Sequence, residues 1–322
     1  MRILFISSTR IGDGVLSTGV LAWIRETYPG AAVTVACGPE VAPLFAASPQ
    51  VERVIAMTKR PRGGHWADLW RACIGTYWTA IIDLRRSAMR YLLLARRRYA
   101  MPPDRPDVHK VVQISAMLGR EETPLDPEIT TGPEHESAAA RLVPDGGPVL
   151  ALAPTANWGG KEWPADRFVD LVARLTATSG LLPGARVAVF SAPGERDRAR
   201  AVLDTVPMDR RIDLAGKTDL LTAYACLQRA DLFVGNDSAL MHMAAAAGTP
   251  TLGLFGPSRD AHYGPWGKCA ASVRTELGFE EIINAPGYDH RSSDSRMTTL
   301  SVDRVVAAAE ALWARRQKPV PA

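Results

Sequence analysis

Cysteine is scarce and scattered. Its four residues, Cys37, Cys73, Cys226 and Cys269, form no C-x-x-C pair. That excludes a disulfide framework or zinc site of recognisable spacing and suits a reducing cytosol. Long apolar runs are also missing. No segment approaches about 18 unbroken apolar residues, so no transmembrane helix is expected. Met1-Arg2-Ile3-Leu4-Phe5-Ile6-Ser7-Ser8 opens like a signal peptide, but its apolar part is too short. Gly12-Asp13-Gly14 stands where a cleavage site belongs, so the start reads as a first β-strand. Lysine occurs only six times, so the net charge of +4 rests on arginine. A mild basic excess suits anionic small molecules, anionic lipid or nucleic acid and does not choose among them. There is no short-period repeat and no low-complexity tract. The 47 % hydrophobic and 22 % charged residues exclude a disordered or fibrous chain.

What is present is strand–helix alternation. Strands are expected at 2–7, 32–36, 51–56 and 80–84, with helical spacing over 15–28, 43–47, 65–77, 89–99 and 110–118. Such alternation predicts a parallel sheet with helices on both faces. Between 123 and 148 prolines and Gly132, Gly146 and Gly147 accumulate, which places a linker there. The pattern restarts with strands at 149–153, 186–190, 231–234 and 251–255. Helices are expected at 163–177, 195–205, 220–229, 238–247 and 301–316, followed by a tail with Pro319 and Pro321. The 322 residues fit two domains of about 150 residues each. The expected division is 1–145, 146–300 and a closing helix and tail over 301–322.

The dinucleotide fingerprint fails twice. Gly12-Asp13-Gly14-Val15-Leu16-Ser17 lacks the third glycine, and the second strand ends in Ala36-Cys37-Gly38 with no acid for a ribose. A nicotinamide oxidoreductase is therefore disfavoured. No Gly-Lys-Ser/Thr phosphate loop follows either. A carboxylate remains on a glycine turn at the carboxyl edge of a sheet. Asp13 is either a general base for an attacking hydroxyl or a cap for a helix beginning near Val15.

Two more loops fall on such edges. In Pro154-Thr155-Ala156-Asn157-Trp158-Gly159-Gly160-Lys161-Glu162-Trp163-Pro164, Lys161 offers a point charge to a diphosphate, and Thr155 and Asn157 offer hydrogen bonds. The plain alternative is an exposed turn with a solvated lysine. In Gly235-Asn236-Asp237-Ser238-Ala239-Leu240-Met241-His242, Asp237 or Ser238 caps a helix whose first amides suit an anion. Here the alternative is a plain cap and a satisfied core histidine.

These segments, in this order, resemble glycosyltransferase family 9, the bacterial lipopolysaccharide heptosyltransferases. The resemblance rests on Gly12-Asp13-Gly14-Val15-Leu16-Ser17-Thr18, Lys161-Glu162-Trp163-Pro164 and Asp237-Ser238-Ala239-Leu240-Met241-His242, with Ala247-Gly248-Thr249-Pro250 and Leu254-Phe255-Gly256-Pro257 behind them. It implies an α/β GT-B fold of two Rossmann-like domains with parallel sheets facing across a cleft. It also implies inverting transfer of heptose from ADP-heptose to a lipid-linked lipopolysaccharide core saccharide, without metal or other cofactor. Asp13 then matches the base and Lys161 the diphosphate lysine. Asp237, Ser238, Ala239 and His242 match the donor-binding helix start, and Glu195 matches a nucleoside-binding glutamate. The chain departs from the family in having Ala156 and Asn157 where some members carry two threonines, and in lacking cysteine between Glu276 and Met297.

Arg85, Arg86, Arg90, Arg96, Arg97 and Arg98 surround Tyr91-Leu92-Leu93-Leu94. A basic amphipathic helix of this kind suits anionic lipid or a phosphorylated saccharide, and equally a solvated face over a packed stripe. Arg85, Arg86 and Arg90 are the expected acceptor contacts. Nucleic acid is not an expected partner, since the arginines lack interleaved aromatics. The expected location is cytoplasmic, peripheral at the cytoplasmic face of the inner membrane. Two other functions fit the same residues: transfer from another nucleotide sugar, and a non-catalytic sugar-nucleotide-binding module.

Overall fold

The computed structural model describes residues 1–316, so the expected tail with Pro319 and Pro321 lies outside the described residues. The chain forms two compact units, Met1–Gly132 and the remainder from Pro133. The first runs β1 (Arg2–Ile6), α1 (Ile11–Leu16), α2 (Gly19–Thr27), β2 (Ala32–Cys37), α3 (Ala42–Ala46), β3 (Val51–Ala56), α4 (Gly64–Cys73), β4 (Trp78–Asp83), α5 (Met89–Leu92), β5 (Ala95–Ala100) and α6 (Lys110–Met117). Its strands lie in the order β3-β2-β1-β4-β5, all parallel. The second runs α7 (Pro133–Leu142), β6 (Val149–Ala153), α8 (Ala165–Thr176), β7 (Arg186–Ser191), α9 (Arg196–Leu203), β8 (Arg211–Ala215), α10 (Leu220–Leu227), β9 (Leu232–Asn236), α11 (Ala239–Ala246), β10 (Thr251–Phe255), α12 (Asp260–Tyr263), β11 (Ala270–Arg274), α13 (Phe279–Ile283) and α14 (Val302–Arg316). Its order is β11-β10-β9-β6-β7-β8, again all parallel.

The central strands are covered on both faces, which is why they read as unbroken apolar runs: β6, β9 and β10 are buried at every residue. The core of the second unit gathers Trp163, Phe168 and Leu171 with Val305, Ala309 and Leu312 of α14. The closing helix is thus part of that unit over its described residues. Among the described residues no helix is long and apolar enough to cross a membrane.

Two helices differ from expectation. The helix expected over 15–28 breaks at Ser17 and Thr18. Their hydroxyls donate to the carbonyls of Gly14 and Val15, both at 2.8 Å, and their own amides bond the same two oxygens. This tightens the turn and ends the α-helical ladder. The basic helix expected over 89–99 stops at Leu92, and residues 95–100 become the edge strand β5, whose Ala95 lies opposite Trp78. Arg98 stabilises the break by donating to the carbonyls of Arg90, Ala95 and Leu93 at 2.6, 2.7 and 3.2 Å.

Candidate functional site

In each sheet the chain fills one side of its first strand and then returns to fill the other. The order reverses between β1 and β4 in one unit and between β6 and β9 in the other. The carboxyl ends of such strand pairs are where open α/β sheets bind ligands. The loops that carry Asp13, the Arg85–Arg90 turn, Lys161 and Asp237 follow these four strands, whereas Glu195 follows β7 and Gly256-Pro257 follows β10.

Asp13 follows β1, but not on a turn before the helix. It lies inside α1, whose first turn opens at Arg10 with no side-chain cap. The physical reason is packing. A Cβ on Gly14 would meet Val41 Cγ1 at 2.4 Å, so the glycine serves close approach to the start of α3 rather than a flexible turn. Asp13 does not cap a helix. It is half-buried and accepts a 3.4 Å hydrogen bond from Ser8 Oγ.

Beside it, β4 ends in Asp83, which is fully buried. Its carboxylate accepts the amides of Arg85 and Ser87 at 2.8 and 2.7 Å and the Ser87 hydroxyl at 2.8 Å. Burial pushes the Asp83 carboxyl above its ordinary range, against these hydrogen bonds and the Arg90 charge. The turn it organises carries the three arginines expected to meet an acceptor. Arg86 is exposed and holds a left-handed φ of 51°. Arg85 lies over the Trp66 ring at 5.4 Å, and Arg90 over Tyr91 at 4.6 Å. Arg85 Nη1 and Arg90 Nε are buried without a hydrogen-bond partner among the described residues. Asp83 was not legible as a site residue; its one signal is an acid at the end of an apolar run.

In the second unit the loops after β6 and β9 are tied together. Lys161 Nζ lies 2.5 Å from Asp237 Oδ2, with the Asp237 side chain only 7 % exposed. Asn236, which sequence reasoning passed over, fixes this geometry. Its Oδ1 accepts the Trp163 amide at 3.0 Å and its Nδ2 donates to the Pro154 carbonyl at 2.9 Å. Trp163 anchors the segment in the core, where its indole donates to the Leu300 carbonyl at 2.8 Å. The loop over 292–296 packs on the same segment. A Cβ on Gly159 would meet the Ser293 carbonyl at 2.2 Å, and Trp158 Nε1 donates to the Ser292 carbonyl at 2.8 Å.

The start of α11 is not capped as expected. Ser238 occupies the cap position, yet its side chain makes no capping bond, and Asp237 is held by Lys161. The first-turn amides are thus left to a ligand or water. The hydroxyls of Ser238 and Thr155 are buried without a partner among the described residues. Ala239 is the first helical residue, and His242 is buried on the same helix. Asn157 is exposed. Glu195 stands after β7, just before α9, and shares Arg198 with Glu162, at 3.5 Å from the guanidinium. The described residues hold no cluster of three metal-ligating side chains.

The model of glycosyltransferase family 9 (heptosyltransferase) matches residues 78–282. The chain belongs to glycosyltransferase family 9. A lipopolysaccharide heptosyltransferase 2 of Salmonella typhimurium is 24 % identical over 332 residues, covering 91 % of this chain and 94 % of the relative. The structure of an ADP-heptose lipopolysaccharide heptosyltransferase II of E. coli matches with TM-score 0.74 at 20 % identity, covering 99 % of this chain and all of that one. E. coli heptosyltransferase WaaC with ADP-2-deoxy-2-fluoro heptose matches with TM-score 0.67 at 18 % identity, covering 97 % and 99 %. This family-9 chain is therefore a glycosyltransferase with the GT-B fold. It is a member of the heptosyltransferase family, whose named relatives serve lipopolysaccharide synthesis.

Proposed function

We propose that this glycosyltransferase moves heptose from ADP-heptose to a lipid-linked lipopolysaccharide core saccharide, with inversion, at the cytoplasmic face of the inner membrane. The observation that carries the donor half is the Lys161–Asp237 pair beside an uncapped helix start and two unpartnered buried hydroxyls. Together they form a receptor for an anion whose cation is already in place. The acceptor half rests on Asp13, with Arg85, Arg86 and Arg90 at the neighbouring strand end offering charge to an anionic saccharide.

The step balances as follows. Asp13 takes the proton of the acceptor hydroxyl, and that oxygen bonds to the anomeric carbon from the face opposite the diphosphate. The bond from anomeric carbon to diphosphate oxygen breaks, and ADP leaves with the electron pair. Lys161 and the α11 amides stabilise the leaving charge, and Thr155, Asn157, Ser238, Ala239 and His242 line the donor. Glu195 receives the nucleoside. Asp13→Asn is expected to lower turnover by about 10²–10⁴-fold with ADP affinity unchanged. Transfer at near the wild-type rate would refute the base. A donor panel read by mass spectrometry tests the heptose and ADP assignments, and donor binding without turnover on any acceptor would favour a binding module.

A further inference from the structure

Nine large apolar side chains are exposed among the described residues, and five of them, Ile74, Tyr77, Tyr91, Leu92 and Leu94, lie in one short region of the first unit, each 52–73 % exposed. They fall on the α4–β4 turn and on the end of α5 with the turn after it, and both segments lead into neighbouring strands. Tyr77 precedes β4 and Leu94 precedes β5, and the Trp78 amide donates to the Leu94 carbonyl at 2.9 Å, so the turns lie side by side. The exposure is not slack packing. Leu93, between the two exposed leucines, is buried, and Arg98 braces the same turn through three carbonyls. The apolar side chains are thus presented on a held backbone, in water, where each costs free energy until something covers it.

Charge decides what covers it. From residue 84 to 103 the chain has six arginines and no acidic residue. The edge strand β5 carries Arg96, Arg97 and Arg98 exposed in succession. A second copy pairing on this edge would set arginine against arginine, which is unfavourable. A soluble polyanion would satisfy the arginines and leave the leucines and tyrosines wet. An anionic bilayer satisfies both, with arginine at the headgroups, tyrosine at the interface and leucine among the upper acyl carbons.

We propose that the α4–β4 turn together with the α5–β5 segment is the surface by which this protein docks on an anionic lipid bilayer. This deepens the membrane-face reading above by naming the surface, and it is tested apart from that reading.

The full chain is sedimented with vesicles of about 30 % phosphatidylglycerol in phosphatidylcholine, and with phosphatidylcholine alone. Binding is expected on the anionic vesicles and to weaken with salt. Leu92→Ser/Leu94→Ser and, separately, Arg96→Glu are each expected to weaken it roughly tenfold or more. Thermal unfolding should not move, because these side chains are exposed; if the leucine variant melts early, Arg96→Glu still reads the charge. Equal binding to both vesicle types, or wild-type binding by both variants, overturns the proposal. So does a concentration-dependent dimer that the leucine substitutions abolish, which would give the surface to a second copy. Transfer to a deacylated, soluble acceptor is measured in parallel and should persist in all variants. Its absence even in wild type, with vesicle binding intact, sinks the transfer reading and leaves this one standing.

Discussion

Lys161 and Asp237 hold each other at 2.5 Å. The pair has two duties that substitutions can separate. As an ion pair it stabilises the fold, because a carboxylate 7 % exposed needs a partner. In the proposed reaction it supplies the cation for a departing diphosphate. Lys161→Ala is expected to cost about 2–3 kcal/mol of stability, less than a fully buried pair because a quarter of the lysine is exposed. It should also weaken ADP roughly 10–100-fold by removing a charge-assisted hydrogen bond. Lys161→Ala/Asp237→Ala removes the stranded carboxylate and should regain most of the stability while ADP stays weak. Urea unfolding and calorimetry with ADP read the two separately. If ADP affinity recovered along with stability, the lysine would be structural only. These residues were legible because a polar loop after an apolar run is visible in sequence. Asn236 and Asp83 were not, because a polar residue at a strand's last position gains meaning only once its neighbouring strand end is known.

Among the elements, β8 and α9 are joined by charge. Asp213 accepts from Arg196 Nη2 at 2.8 Å and Lys217 Nζ at 2.6 Å. Burial alone would raise its pKa, but these two partners outweigh it and hold the carboxyl at about 2. A carboxylate depressed on folding stabilises above its unfolded value, near 3.9, and loses that contribution as pH falls towards 2. Asp213→Asn is expected to cost on the order of 1–2 kcal/mol at pH 7, and the gap from wild type should close as pH falls from about 4 to 2. Urea titrations at both ends of that window check it; a gap that persisted in acid would mean the loss is one of shape. The same elements show the limits of pattern reading. The apolar β1, β2, β4, β6 and β10 stand out as runs, whereas β5 (ARRRYA), β8 (RIDLA) and β11 (AASVR) lie at or beside sheet edges and need no such run. Helix α7 was hidden inside a proline- and glycine-rich stretch, because Pro133 at its first position starts a helix as readily as it ends one.

At the scale of the whole molecule, alternation made two parallel sheets legible, but not their order. Strand order depends on which edge each crossover takes, and no local pattern carries that. Once known, it explains why distant segments converge: the loops after β1 and β4, and those after β6 and β9, flank the two reversals. Each unit buries its own apolar cluster, Leu4, Ile81 and Leu69 in the first and Leu152, Phe168 and Val234 in the second. A ligand that binds only the folded second unit must therefore stabilise that unit against opening, by about 2.7 kcal/mol at one hundred times its Kd. Hydrogen exchange with ADP is expected to slow the amides of the loops after β6 and β9 and of the first turn of α11. The β3 edge of the first unit, which holds none of the proposed donor contacts, should not respond. In Lys161→Ala, at the same ADP concentration, the protection should largely vanish. Protection centred instead on the turn after Asp83 would move the nucleotide to the first unit and exchange the roles assigned to the two strand-end sites.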